Sequence, residues 1–136
     1  MMKQNFFLLL FFSSVIFYGC DQIVSTCEDD TPARPKMTFT YLQDNVFTPL
    51  CVGCHGNTAP QGKLDLSPGN SYANLINRAS TSSSLLRVKP GDSQNSYLMV
   101  RLRGEGGKTV MPPAGRLETA LIDSIAAWIN REAPQD

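Results

Sequence analysis

Cys51-Val52-Gly53-Cys54-His55 is the stretch on which the reading of this chain turns. Two thiols three residues apart, followed at once by an imidazole, make the pattern C-x-x-C-H, the attachment signature of c-type haem. The chemistry explains the spacing. On a helical turn the two thiols match the separation of two porphyrin vinyl groups, to which they add as thioethers. The adjacent histidine then projects toward the iron as the proximal ligand. Gly53 and Gly56 are expected to leave room for backbone to approach the macrocycle. Two other chemistries share parts of the pattern. Structural zinc takes about four Cys, His or carboxylate ligands, and here only Cys51, Cys54 and His55 lie together, with Cys27 far upstream. A redox dithiol of the thioredoxin kind sits in a βαβ setting, which this sequence does not suggest.

The second axial ligand is constrained by composition. His55 is the only histidine, so one chain cannot give its iron two imidazoles. Methionine is the remaining candidate. Met1 and Met2 belong to the N-terminal segment and Met37 to the stretch read below as a tether. Met99 stands beside Leu98 in an apolar helical stripe, where core packing is the plainer role. Met111 stands in Thr109-Val110-Met111-Pro112-Pro113-Ala114-Gly115, where two prolines stiffen the chain just after the sulfur. Met111 is therefore the expected distal ligand. Thioether sulfur favours ferrous iron and raises the reduction potential. An iron with six ligands has no place for a substrate, which argues for electron transfer over catalysis.

Outward from the motif, apolar spacing marks four helical stretches and no alternating strand runs. The first covers about Phe39 to Thr48, with Phe39, Leu42, Val46 and Leu50 on one face, Thr38 as N-cap, and Pro49 ending or tightening it before Cys51. The second covers about Asn70 to Asn77, behind Ser67-Pro68. The third covers about Ser93 to Arg103, and the fourth about Glu118 to Arg131. Leu117, Leu121, Ile122, Ile125, Trp128 and Ile129 form the broad stripe of the last. Between them lie long loops rich in Gly, Ser, Pro and Asn. The fold class is all-α, and long loops in a small domain call for something to wrap around.

The N-terminus reads as a targeting segment. Lys3 precedes an apolar run from Phe6 to Phe17, too short for a comfortable membrane span. Phe17-Tyr18-Gly19-Cys20 resembles the end of a bacterial lipoprotein signal, which makes Cys20 the expected lipidation site; ordinary cleavage would leave Cys20 free or paired with Cys27. Several acyl chains anchor a protein firmly, whereas one is marginal. Residues 1–19 are thus expected to be a signal peptide, 20–37 a flexible tether and 38–136 the folded domain. Without residues 1–19, eleven basic groups face twelve acidic ones. No basic stripe is present, so nucleic acid is not an expected partner.

Taken together, the sequence resembles the single-haem class I cytochromes c, and more closely the Planctomycete-type cytochrome c family. The resemblance spans about Phe39 to Ala133. It rests on Cys51-Val52-Gly53-Cys54-His55, Gly62-Lys63-Leu64-Asp65-Leu66, Lys89-Pro90-Gly91-Asp92 with Ser96-Tyr97-Leu98, Met111-Pro112-Pro113, and the Trp128-Ile129 helix. It implies a small cytochrome c-like domain of about four helices with long loops around one covalent haem c. It also implies haem thioethers at Cys51 and Cys54, His55 proximal and Met111 distal, and a first and last helix that cross and pack. Cys27 has no role in that pattern. Arg78, Arg87, Arg101 and Arg103 all remain open as partners of the haem propionates.

The function implied is a non-enzymatic electron carrier, exported, facing the periplasm and lipid-anchored, with periplasmic redox proteins as donor and acceptor. The alternative is a haem-based gas or redox sensor with a displaceable Met111. A peroxidase lacks a spare histidine for acid-base work near the iron, and a haem-free structural lipoprotein would leave the pentapeptide unexplained.

Overall fold

A computed structural model describes residues 36–136. The expected signal peptide, Cys20, Cys27 and most of the expected tether lie outside the described residues. Helices make up the regular structure: α1 (Phe39–Leu42), which runs on as a wide helical segment over Gln43–Cys51, then α2 (Ser71–Leu75), α3 (Tyr97–Arg103) and α4 (Thr119–Asn130). A short 3-10 turn spans Gln61–Lys63. Among the described residues, β pairing is confined to isolated bridges, such as Ile76 with Val88 and Leu86 with Ser96. The architecture is all-α with long connections.

The first helix starts as expected: the Thr38 hydroxyl accepts the Tyr41 N–H at 3.0 Å. Its far end differs from the sequence reading. The helix does not stop at Thr48 but widens into π-type turns and carries Pro49 inside, as far as Cys51. The Val52 N–H, for instance, reaches back five residues to the Phe47 carbonyl at 2.9 Å. Proline has no N–H to offer the ladder, and the wider winding carries the chain past it and into the Cys51 turn.

The second and third helices are shorter than their stripes suggested. Before α2, the Ser67 carbonyl closes a turn by accepting the N–H groups of Asn70 and Ser71. Before α3, the Ser96 hydroxyl donates to the Asp92 carbonyl at 2.8 Å and accepts the Lys89 N–H at 2.9 Å. Side-chain bonds of this local kind compete with helical ones, so residues 93–96 form a turn and the helix begins at Tyr97. Gly104 ends α3 at φ 70°, a left-handed cap that favours glycine.

The core gathers on α4. Trp128, Ile125 and Ile129 are fully buried, with Leu42, Val46 and Phe47 from the first helical stretch, Leu75 from α2 and Met99 from α3. The first and last helices meet through Phe39 and Trp128, whose ring centroids lie 6.0 Å apart. Tyr72 sets its ring edge-on to Phe39 at 5.0 Å. The last residues fold back over α1. The Asp136 carboxylate accepts the Phe39 N–H, its carbonyl accepts the Thr40 N–H, and the Pro134 carbonyl accepts the Trp128 indole N–H. Two of the otherwise unpaired donors at the start of α1 are satisfied this way.

Met37 is a correction to the sequence reading. Assigned to the tether, it is buried in the core cluster, and its carbonyl accepts from the Arg131 guanidinium at 2.6 Å. The packed chain therefore includes Met37.

Trp128 joins α1, α4 and the C-terminal residues. Trp128→Ala removes that side chain from a fully enclosed place and is expected to cost about 3–5 kcal/mol, read from denaturant unfolding of the matured protein. A loss below about 1 kcal/mol would contradict this account of the core.

Candidate functional site

The wide helical segment ends at the pentapeptide, and the turn there hangs on one atom. The Cys51 carbonyl accepts the Cys54 N–H at 3.1 Å and the His55 N–H at 2.9 Å. One helical turn thus holds both thiols and the imidazole in a fixed order. A Cβ on Gly56 would meet the Val52 carbonyl oxygen at 2.8 Å, so Gly56 is required by its own chain, while Gly53 has open space around it.

Both cysteines are free thiols. Cys54 is exposed and Cys51 half-buried. Burial pushes the Cys51 thiol up to about 11, and its sulfur lies 3.6 Å from the Val46 carbonyl, an acceptor that suits the protonated form. His55 Nδ1 lies 2.9 Å from the Gln61 carbonyl. A carbonyl oxygen can only accept, so Nδ1 carries the proton. Nε2 is then the nitrogen with a free lone pair, as a metal-binding imidazole requires.

Gln61 was not singled out by sequence, and neither was the means of holding it. The Gln61–Lys63 turn is pinned by Arg87, a buried side chain from a different loop. Its guanidinium donates to the carbonyls of Gly62 (3.1 Å), Lys63 (2.8 Å) and Asn74 (2.9 Å). Burial, with the charge of Arg78 as a lesser cause, lowers the pKa of Arg87. A backbone carbonyl leaves no signature in a sequence, so the imidazole's partner was not legible there.

Cys51, Cys54, His55 and Met111 all line one cleft. Val46, Phe47, Leu64, Leu66, Leu75 and Ile125 make its floor apolar, and Pro112 and Pro113 flank the methionine. The space between atoms there, counting the part open to solvent, is about 1030 Å³. Met99, the other methionine considered, is absent from the cleft and fully buried in the core.

The cleft suits haem on three counts. Leu50 lines it yet remains 45% exposed, which is apolar surface that a flat apolar group would remove from water. Arg87 and Arg101 line it and no carboxylate does, a charge balance that favours an anionic ligand. Of the other arginines considered for the propionates, Arg78 does not line the cleft, and Arg103 lies 3.6 Å from Glu105. The donor set also fits: one imidazole nitrogen, one thioether sulfur and two thiols. For zinc, no group of three or more His, Cys, Asp or Glu side chains is placed to hold a metal ion among the described residues.

An all-α fold around such a cleft is compatible with a cytochrome c domain. Residues 51–115 match the family model described as Planctomycete cytochrome C. No curated protein and no solved structure matches the chain.

The two thiols differ enough to be told apart in haem-free protein. At pH 7, iodoacetamide is expected to alkylate Cys54 well before Cys51, whose reaction should quicken only as the pH climbs toward about 11, because the thiolate is the reacting form. Peptide mapping after timed quenching reads the order. Equal rates at neutral pH would contradict the burial of Cys51.

Proposed function

We propose that this protein is an exported electron carrier with one covalently bound c-type haem. What supports it most is that two thiols, an imidazole with its Nε2 lone pair free, and a thioether sulfur line a single apolar cleft. When bound, haem supplies a one-electron iron couple. Cys51 and Cys54 form the thioethers, His55 is the proximal ligand and Met111 the distal one.

Each contribution follows from the side chain's chemistry. The two thioethers make the attachment irreversible, which suits a protein that works outside the cell, where a lost cofactor is not recovered. The Gln61 carbonyl, holding Nδ1–H, keeps the ring turned and strengthens Nε2 as a donor. Met111 would offer the iron a soft donor, which would stabilise the ferrous state and close the site to substrates. The apolar floor keeps water away from the redox centre. Arg87 supplies positive charge for the propionates.

The wider setting belongs to the same proposal. Cys20 carries the lipid, residues after it act as a tether, and the domain faces the periplasm. Periplasmic redox proteins serve as donor and acceptor. No helix among the described residues is long and apolar enough to cross a membrane.

Ligation is tested on matured holoprotein. The ferric wild type is expected to show the weak far-red absorption of Met-ligated haem. Met111→Ala should abolish that band, lower the midpoint potential and allow imidazole to bind, with the c-type bands of the reduced protein intact. A wild type that lacks the far-red band and binds carbon monoxide readily would favour the sensor with a displaceable ligand.

A further inference from the structure

We infer that Arg101 is the residue that holds the Met111 thioether in the cleft, a positioning residue and not a ligand. The inference rests on the reading of Met111 as the distal ligand. Met111 sits on no helix; it lies in the connection between α3 and α4. Left to itself, such a segment would carry the sulfur in and out of the cleft, because a connection without regular structure opens at little cost.

Three observations show how the segment is held. First, Gly104 reverses the chain, and a Cβ built there would lie 3.4 Å from Val110 Cβ, so the loop returns against the end of α3. Second, the Met111 N–H donates to the Arg101 carbonyl at 2.8 Å. Third, Arg101 Nε donates to the Thr109 carbonyl at 3.2 Å. One residue thus grips the loop by its backbone at Met111 and by its side chain two positions earlier.

The grip uses groups that α3 has to spare. The last carbonyls of a helix have no partner inside it. Here the Val100 carbonyl takes the N–H groups of Gly104 and Glu105, and the Arg101 carbonyl takes that of Met111. Arg116, from beyond the methionine, donates to the Arg103 carbonyl. The free end of α3 is spent on the methionine loop.

Arg101 is itself held in place. Its guanidinium carbon lies 5.8 Å from the ring centroid of Tyr97, one helical turn earlier, and Nη1 makes a long 3.5 Å contact with the Tyr97 hydroxyl. Tyr97 is buried and lines the same cleft. A side chain braced on a buried ring gives up less freedom on bonding to Thr109 than a free one would. The rigidity of the cleft wall therefore passes through Tyr97 and Arg101 to the loop that carries the sulfur.

The test compares matured holoprotein of wild type, Arg101→Leu and Arg101→Lys. The ferric far-red band is followed on warming and on titration with imidazole. Arg101→Leu is expected to lose the band at a lower temperature and to bind imidazole roughly tenfold more tightly, the size of one lost charge-assisted hydrogen bond. Arg101→Lys, with a donor kept, should fall between. Far-UV circular dichroism and the reduced c-type bands should be unchanged, which separates positioning from general loosening. If Arg101→Leu fails to mature, Arg101→Gln replaces it. Wild-type band stability and imidazole affinity in the Leu or Gln variant would overturn the inference. A wild type without the band would overturn it together with the ligand assignment, whereas a normal wild type with an indifferent variant overturns the inference alone.

Discussion

The Cys51 carbonyl accepts two N–H groups, those of Cys54 and His55, and the rest of the site follows from that shared acceptor. The turn it closes puts two thiols and an imidazole on one short piece of chain. Such a piece cannot hold its own orientation. On the upstream side the wide helical segment brings it in from the core, where Val46 and Phe47 are buried. On the downstream side the Gln61 carbonyl takes the Nδ1 proton of His55. Arg87 fixes the turn that presents that carbonyl. A chain of support therefore runs from a buried guanidinium to the imidazole ring of His55.

The core serves the same end from the opposite side. Trp128 and Ile129 on α4 hold α1 and the C-terminal residues together, while Ile125, one turn earlier on α4, reaches the cleft floor. A domain of about 100 residues buries only a modest share of its surface. Here part of the apolar material lines a cleft instead of filling a core. Leu50, half out in the open, is where this division is plainest. A flat cofactor seated on that floor would complete the packing, so that cofactor binding and domain stability become one problem.

What the sequence disclosed, and what it hid, has a physical pattern. The stripe Leu121, Ile122, Ile125, Trp128, Ile129 placed α4 to within a residue at either end, because side-chain periodicity is written directly in residue order. The pentapeptide likewise carries its expected chemistry in fixed spacing. The end of the first helix was missed because Pro49 normally breaks an α-helix, and only three-dimensional context allows the wider winding around it. The start of α3 was missed because Ser96 looked like a helix residue and acts as a turn partner for Asp92 and Lys89. Met37 was assigned to the tether because an isolated apolar residue has no periodicity. Gln61 acts through its carbonyl, and backbone atoms have no letter in the sequence. That Arg87 and Arg101 line the cleft while Arg78 and Arg103 do not was legible only in tertiary structure.

Covalent attachment is the central claim, and one measurement meets it directly: intact mass of the full chain after expression with a cytochrome maturation system, paired with a pyridine haemochrome spectrum. The account predicts the added mass of a single haem that survives acidified acetone, a c-type haemochrome, and loss of both when Cys51 and Cys54 are replaced by serine. A matured protein without added mass, its Cys51 and Cys54 thiols still free, would contradict it.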